Sequence, residues 1–217
     1  LQHHYYAIEV DPRMPKEEKV GYMIEWVEQA HALMLRSGCT KQTIIDAVKT
    51  ANIQVRAGVT DLFGLTERNA VPVLIFSAGI ADVLEEVLKQ HDSLPANAVV
   101  ISNRMVFSPD NVLVGFTNPV FHVFNKRASA VLDTPYFQSQ ENKQRSNVLL
   151  LGDSPSDPDM VIGTNPETVL KIGFLNDKIE RLDAYLSVYD VVLLGDGDMS
   201  FATSIVQQIC DSVAVEE

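Results

Sequence analysis

The sequence predicts an α/β protein in which a mostly parallel β-sheet is covered by helices on both faces. From residue 71 onward, short apolar runs recur without alternating polar residues, which is typical of strands that are buried on both sides. Amphipathic helical segments lie between these runs, and strands that alternate with helices usually pair in parallel. Before residue 70 the apolar pattern is helical only, which indicates a separate helical zone.

The zone from about residue 15 to residue 69 is predicted to contain two helical stretches. In the first, side chains of the buried face recur at helical spacing, and they are Val20, Met23, Ile24, Val27, His31 and Met34. The second stretch covers 41–58, and Gly58 is expected to form its C-cap because glycine readily adopts the left-handed conformation.

The zone after residue 70 is predicted to alternate strands with helices. The apolar runs expected to be strands are 71–79, 98–103, 120–126, 147–153, 168–174 and 190–196. The segments expected to be helices are 80–90, a stretch from about Ala128, 177–189 and 200–210. No internal repeat and no low-complexity segment interrupts this order.

Length and composition limit the class of protein. A chain of 217 residues suits one domain, or one core domain with a smaller insert. The net charge of -12 argues against a surface for nucleic acid or anionic membranes, since both require basic patches. Two cysteines without CxxC spacing favour a reducing compartment, and no apolar run approaches the roughly 20 residues of a membrane span. We therefore expect a cytoplasmic monomer.

The start at Leu1, without an initiator methionine, suggests an interior segment of a longer protein.

Two of the predicted strand ends carry a serine and a lysine, and in parallel sheets ligands bind beyond the carboxyl ends of the strands. Ser77 ends the first run, where its hydroxyl and the free N–H groups of the next helix could hold a phosphate. A plain helix N-cap is the alternative for this serine. Lys126 ends the run 120–126, and the alternative there is a solvated residue at a helix start.

A third strand end places two carboxylates in one turn. Asp153 directly follows the apolar run VLLL and a glycine, and Asp157 comes four positions later. Carboxylate oxygens suit Mg²⁺, which needs only one or two protein carboxylates together with water and substrate phosphate. A loop with a helix cap is the alternative, because aspartate and serine are also common in turns and at N-caps.

This order of a serine, a lysine and an acidic pair resembles the later motifs of the haloacid-dehalogenase-like phosphatase superfamily. Longer blocks resemble the cytosolic pyrimidine 5′-nucleotidase family, also called cytosolic 5′-nucleotidase III, over about Tyr5 to Ile209. These blocks are YYAIEVDP, FSAGIADVLEEVLKQ, VISNRMVF, HVFNK, LLLGDS and VLKIGFLND. The resemblance implies a haloacid-dehalogenase-like Rossmannoid parallel sheet with a helical cap. Residues 1–69 would form most of the cap, and residues 70–217 the core without its first strand.

The resemblance also implies roles for individual residues. Ser77, with Ala78, would bind the substrate phosphate, and Lys126 would pair with that phosphate during catalysis. Glu9 would contact the nucleoside base from the cap. Asp153 would ligate Mg²⁺, and Asp157 would support the metal site.

The activity implied by the resemblance is Mg²⁺-dependent hydrolysis of nucleoside 5′-monophosphates, of the pyrimidine or the 7-methylguanosine type, through an aspartyl-phosphate. The superfamily's nucleophile lies in an Asp-x-Asp-x-Thr segment upstream of the cap, and no such segment precedes Glu9. Asp196 and Asp198 are spaced like this motif, but they follow the strand expected to be last in the sheet. Ala30 stands where the family has a substrate-contacting serine. A non-catalytic nucleotide- or protein-binding remnant of such an enzyme remains the alternative.

Overall fold

The computed structural model describes residues 1–216 and the side chains of residues 1–212. Its helices are α1 (Gln2–Val10), α2 (Lys16–Arg36), α3 (Lys41–Ala51), α4 (Val59–Arg68), α5 (Ala81–Gln90), α6 (Pro135–Gln138), α7 (Gln140–Lys143), α8 (Leu182–Leu186) and α9 (Ser200–Glu216). Its strands are β1 (Val73–Ile80), β2 (Ala98–Asn103), β3 (Met105–Phe107), β4 (Leu113–Phe116), β5 (Asn147–Gly152), β6 (Thr168–Leu175) and β7 (Val191–Leu194). Short 3-10 segments cover Ala128–Ala130, Asp157–Val161 and Ile179–Arg181.

The strands form three groups. β5, β6 and β7 make a parallel sheet in that order, with Asn147 opposite Thr168 and Ile172 opposite Val191. β1 pairs with β2, and β3 pairs with β4 as an antiparallel hairpin. Alternating helices and parallel strands confirm the predicted α/β class. The hairpin was not predicted, because β3 and β4 are too short to give a clear apolar pattern.

Two compact units divide the described chain by their internal contacts. The first consists of Leu1–Ile53, Phe76–Gln90 and Val100–Lys126. The second consists of Gln54–Ile75, His91–Val99 and the described residues from Arg127 onward. The expected division into a helical cap of residues 1–69 and a core of residues 70–217 stays a prediction. None of the helices within residues 1–216 combines the length and the apolar character needed to cross a membrane.

The second unit buries both faces of its parallel sheet. On one face, Ile172 and Phe174 of β6 pack with α4 and α9 through Leu62, Leu65, Ala202 and Val206. On the other face, Leu150 and Leu175 pack with Tyr185 and Tyr189. Successive side chains of a strand point to opposite faces, so strands covered on both faces are largely apolar, as the VLLL segment of β5 is.

In the first unit, helix α3 packs against the β3–β4 hairpin. Ile44 and Val48 of α3 form a buried cluster with Met105 and Leu113. Helix α3 begins after Thr40, whose Oγ1 accepts a hydrogen bond from the N–H of Thr43 at 3.1 Å. Thr43 returns the contact by accepting from the N–H of Thr40 at 3.3 Å. This capping box fixes the start of the helix.

The expected C-cap at Gly58 is wrong. Helix α3 ends at Ala51, because Asn52 already adopts the left-handed conformation with φ 47°. Asparagine tolerates this conformation through its short polar side chain. Gly58 instead precedes α4 as its N-cap, with φ 82°.

The expected strand 120–126 is also wrong, and so are two helix extents. Residues 120–126 form irregular backbone and a turn, because side chains rather than a neighbouring strand satisfy this backbone. The helix expected from Ala128 is reduced to Ala128–Ala130 and the short helices α6 and α7. The helix expected over 177–189 is limited to Ile179–Arg181 and α8.

Candidate active site

Ser77 lies within β1 and not beyond its end. The strand continues to Ile80, and α5 begins at Ala81, so Ser77 is not an N-cap residue of that helix. Its Oγ accepts a hydrogen bond from the N–H of Gly79 at 3.0 Å. The hydroxyl acts as the acceptor in this bond, so its own hydrogen can be donated to a ligand.

Asn103, the last residue of β2, was missed by the sequence analysis. Its side chain is 1% exposed, and Nδ2 donates to the carbonyl oxygens of Ala78 at 3.0 Å and Phe121 at 2.9 Å. Oδ1 accepts from the N–H of Phe121 at 2.8 Å. The signal that could have revealed it is a polar amide closing the apolar run AVVISN, since buried polar groups need partners.

Lys126 follows a side-chain-stabilised turn. The N–H of His122 donates to Oδ1 of Asn125 at 2.7 Å, and Nδ2 of Asn125 donates to the carbonyl oxygen of Val120 at 2.8 Å. The N–H of Phe124 donates to Nδ1 of His122 at 3.3 Å, which leaves the imidazole hydrogen on Nε2. Lys126 thus follows a turn and not a strand. It belongs to the same compact unit as Ser77.

A cavity of about 300 Å³ lies inside the first unit. Its lining includes Glu9 and Ala78, for which the family resemblance implies contacts with the base and with the phosphate respectively. The lining also includes Trp26, Ala30, His31 and His122. The volume is at the lower end of the range of small-molecule sites. A carboxylate, an indole ring and two imidazoles therefore line the same cavity.

Burial keeps both histidines of this cavity uncharged near neutral pH. Burial lowers the pKa of His31, although the charge of Glu28 acts in the opposite direction. The imidazole of His31 stacks on Phe116 with ring centroids 3.6 Å apart. Burial also lowers the pKa of His122. Both side chains thus offer hydrogen bonds without adding positive charge to the cavity.

A buried lysine fixes the wall that carries Glu9. Nζ of Lys19 donates to the backbone oxygen of Glu9 at 2.8 Å, in the last turn of α1. The lysine is 8% exposed, and its ammonium lies 5.9 Å from the centroid of the Phe124 ring. A cation at the C-terminal end of a helix is favourable because the last carbonyl groups carry partial negative charge.

The two carboxylates after β5 have different environments. Asp157 is 2% exposed, and its Oδ2 accepts hydrogen bonds from the N–H groups of Asp153 at 2.9 Å and Ser154 at 3.0 Å. Asp153 is exposed at the end of the strand. Asp157 therefore shapes the loop, while Asp153 is an exposed residue.

Two tyrosine hydroxyls donate hydrogen bonds to the backbone of the same loop. The hydroxyl of Tyr185 donates to the carbonyl oxygen of Asp153, and that of Tyr189 donates to the carbonyl oxygen of Ser154 at 2.6 Å. Burial, followed by the charge of Asp157, raises the pKa of Tyr189 well above its ordinary value, so the hydroxyl remains a donor. Three side chains, those of Asp157, Tyr185 and Tyr189, thus bond the backbone of this loop.

The residues of this loop fit a hard divalent cation. Within residues 1–216, no three His, Cys, Asp or Glu side chains converge as a metal site. An exposed carboxylate at Asp153 nevertheless matches the needs of Mg²⁺, which retains several waters and takes few protein ligands. Asp157, whose Oδ2 already bonds two amides, fits a supporting position better than that of a principal ligand.

Gly152 is expected to be indispensable for this loop. A Cβ at this position would meet the hydroxyl oxygen of Tyr189 and would lie 2.6 Å from Cβ of Asp157. We expect Gly152→Ala to lower the free energy of unfolding by about 3 kcal/mol, because a packed site cannot accept an extra methyl group. Urea unfolding measures this change. Gly115→Ala, where a Cβ meets nothing within 4 Å, is the control, and equal losses in the two variants would contradict the explanation.

Asp196 and Asp198 have structural partners in the second unit. Oδ1 of Asp198 accepts from the N–H of Ser200 at 3.0 Å at the start of α9, and its bonds to Ser200 lower the pKa of Asp198. Asp196 pairs with Arg56 at 3.4 Å. Both follow β7, which β6 separates from β5 and therefore from Asp153. Two strand spacings amount to about 10 Å, which is too far for a shared reaction centre with Asp153.

The comparisons with known proteins agree on one family. The family model described as "Pyrimidine 5'-nucleotidase (UMPH-1)" matches residues 1–210. A 7-methylguanosine phosphate-specific 5'-nucleotidase of Homo sapiens is 40% identical over 219 residues, covering 100% of this chain and 72% of that protein. The Gallus gallus protein of the same name is 40% identical over 211 residues, covering 96% of this chain and 72% of that protein.

A solved structure supports the same assignment. Cytosolic 5'-nucleotidase IIIB bound to cytidine is similar to this chain with a TM-score of 0.80 and 32% sequence identity, over 95% of this chain and 70% of that one. The resemblance inferred from the sequence motifs is therefore confirmed, and so is the haloacid-dehalogenase-like α/β fold. The chain belongs to the pyrimidine 5'-nucleotidase family, whose members are phosphoric monoester hydrolases.

Proposed function

We propose that the chain is part of a cytosolic 5'-nucleotidase that hydrolyses nucleoside 5'-monophosphates to nucleoside and phosphate. Relatives described as 7-methylguanosine phosphate-specific 5'-nucleotidases, and a similar structure bound to cytidine, support this activity. The single observation that carries the proposal is the cavity of the first unit, in which Glu9 and Trp26 line the same space as Ala78 and Gly79. A nucleoside 5'-monophosphate requires this pairing of a base-binding wall with a phosphate-binding backbone.

The base would lie against Trp26 and Glu9. The indole ring of Trp26 stacks on Tyr5 with centroids 5.8 Å apart, so its orientation is fixed before a ligand binds. An aromatic face stacks on any base, and it attracts a positively charged base such as 7-methylguanine more strongly. The carboxylate of Glu9 adds attraction for the same positive charge. This combination favours 7-methylguanosine over cytidine as the nucleoside.

The phosphate would be bound by Ser77 and Lys126. The hydroxyl hydrogen of Ser77 can be donated to a phosphate oxygen, because its Oγ accepts from Gly79. The ammonium of Lys126 would offset negative charge on the phosphate as the reaction proceeds. In this proposal the attacking carboxylate belongs to an Asp-x-Asp-x-Thr segment that is not among residues 1–217, since Asp196 and Asp198 follow β7, two strands away from Asp153.

Asp153 would provide the direct protein ligand of the cofactor, Mg²⁺. A divalent cation supplies positive charge that lowers the cost of attack on a phosphate dianion. Asp157 would hold the loop amides so that the Asp153 carboxylate is presented in one orientation. The tyrosine hydroxyl bonds to the carbonyl oxygens of Asp153 and Ser154 restrict the same loop.

The base assignment is tested by Glu9→Gln. We expect this change to weaken binding of 7-methylguanosine to the chain by about tenfold and that of cytidine by about twofold at most, because the lost carboxylate interacts mainly with the cationic base. Isothermal titration calorimetry on residues 1–217 measures both affinities. Glu18→Gln, an exposed residue of α2 with the same charge change, is the control.

Equal losses for the two nucleosides in Glu9→Gln would contradict the charge-based preference. A further change, Trp26→Ala, should weaken both nucleosides by about tenfold, since base stacking on an aromatic side chain does not depend on charge. Unchanged binding of both nucleosides in Trp26→Ala would remove the cavity as the nucleoside site and with it the main support for the proposal.

A further inference from the structure

We propose that Asn103 is a positioning residue that fixes the hydroxyl of Ser77 through the peptide group between Ala78 and Gly79. The inference rests on the proposed function, in which Ser77 binds the substrate phosphate. Asn103 itself would not touch the phosphate. All the residues involved belong to the first compact unit, and their contacts form one continuous chain of hydrogen bonds.

The carboxamide of Asn103 is anchored first by Phe121. Oδ1 accepts from the N–H of Phe121 at 2.8 Å, and Nδ2 donates to the carbonyl oxygen of the same residue at 2.9 Å. This pair of bonds fixes which side of the carboxamide carries the donor. Asn103 is 1% exposed, so water cannot replace these partners. Because a buried amide needs its hydrogen bonds, the carboxamide keeps this orientation.

The remaining donor capacity of Asn103 is directed at the end of β1. Nδ2 lies 3.0 Å from the carbonyl oxygen of Ala78 and 3.0 Å from that of Gly79. The carbonyl group of Ala78 and the N–H of Gly79 belong to one planar peptide group and point in opposite directions. When Asn103 holds the carbonyl, it therefore also sets the direction of the N–H.

That N–H is the group which binds Ser77. It donates to Oγ of Ser77 at 3.0 Å, so the side-chain rotamer of Ser77 depends on the rotation of the peptide group that Asn103 holds. With Oγ fixed as an acceptor on one side, the hydroxyl hydrogen is left for the phosphate on another. The amide of Asn103 thus acts on the phosphate through two hydrogen bonds and one rigid peptide plane.

Ser102 provides a matched control on the same strand. Its Oγ donates to the carbonyl oxygen of Gly79 at 2.9 Å, and the residue is 7% exposed. That carbonyl belongs to the peptide group between Gly79 and Ile80, which does not carry the N–H bonded to Ser77. Ser102→Ala therefore removes a similarly buried bond to the end of β1 while leaving the proposed chain of contacts intact.

The test compares Asn103→Leu, Asn103→Ala and Ser102→Ala in residues 1–217, with inorganic phosphate as the probe. We expect the Asn103 variants to bind phosphate at least about tenfold more weakly and Ser102→Ala to bind within about twofold of the original chain. Amide hydrogen exchange of Gly79 should accelerate in the Asn103 variants only. Equal effects in Ser102→Ala and the Asn103 variants on both readouts would overturn the proposal. Circular dichroism identifies any variant that does not fold, and the leucine variant keeps the buried volume if the alanine variant unfolds.

Ser77→Ala makes the test specific. In a Ser77→Ala background, Asn103→Leu should weaken phosphate binding by only about twofold, because residues that act through one another give non-additive effects. A full tenfold loss in that background would overturn the positioning role. If the original chain binds neither phosphate nor nucleoside, the proposed function fails. The exchange rate of the Gly79 amide still decides the positioning role, and unchanged exchange in both Asn103 variants would refute it.

Discussion

Replacing Asp153 by asparagine is expected to reduce Mg²⁺-dependent hydrolysis of nucleoside 5'-monophosphates at least about a hundredfold. The activity is measured on a fusion, called the joined protein below. In it, a segment of a relative that is expected to carry the Asp-x-Asp-x-Thr motif is linked to Leu1 of residues 1–217. A metal ion contributes several kcal/mol to the charge balance of a transition state, and about 1.4 kcal/mol corresponds to a factor of ten in rate. Asparagine keeps the shape of Asp153 but removes the charge that attracts the cation.

Asp159→Asn is the control for this measurement. Asp159 lies in the Asp157–Val161 segment and pairs with Arg127 at 3.5 Å, so its change alters the local charge without touching the end of β5. We expect the activity of this variant to stay within about twofold, as for other partly exposed ion pairs. Near-normal turnover of Asp153→Asn at saturating Mg²⁺ would exclude Asp153 as a ligand.

The original chain, residues 1–217, is expected to release no measurable phosphate from any nucleoside 5'-monophosphate, whereas the joined protein should be active. Three carboxylates that follow the parallel strands already have a hydrogen-bond or ion-pair partner in the second unit. Asp157 bonds two amides of its loop, Asp198 bonds Ser200, and Asp196 pairs with Arg56. Without a carboxylate nucleophile, an aspartyl-phosphate cannot form, and the reaction loses the first step of the proposed mechanism.

A phosphate-release assay compares the original chain, the joined protein and an Asp196→Asn/Asp198→Asn double variant of the original chain. Turnover by the original chain that disappears in the double variant would identify the β7 loop as the source of the nucleophile. An inactive joined protein that still binds nucleoside 5'-monophosphates would favour the other candidate, a non-catalytic binding remnant. The lost Asp198–Ser200 bond is expected to reduce stability by about 1 kcal/mol, so unfolding of the double variant must be measured as well.

The sequence by itself determined the fold class and the family, and it named Ser77, Lys126, Asp153 and Asp157 as candidates but not Asn103 or Trp26. Largely apolar runs such as 147–153 and 168–174 indicated strands buried on both faces, because they lack the regular apolar–polar alternation of a strand with one solvated face. The family followed from blocks such as HVFNK and LLLGDS, whose order along the chain is independent of any structural interpretation. Each of these features consists of neighbouring residues, so it can be recognised from the sequence without the structure.

Only the tertiary structure decided how the side chains are held. The apolar segment 120–126 was indistinguishable from a strand by pattern, but Asn103 takes both backbone groups of Phe121 and leaves none for a neighbouring strand. The resemblance assigned Asp153 to the metal and Asp157 to its support, but only the fold shows that the first residue is exposed and that the second is buried against the loop amides. Side-chain hydrogen bonds to the backbone make these distinctions, within one loop for Asp157 and between separate segments for Asn103. The distances and directions of these hydrogen bonds are set by how the segments pack together, and the sequence pattern does not contain that information.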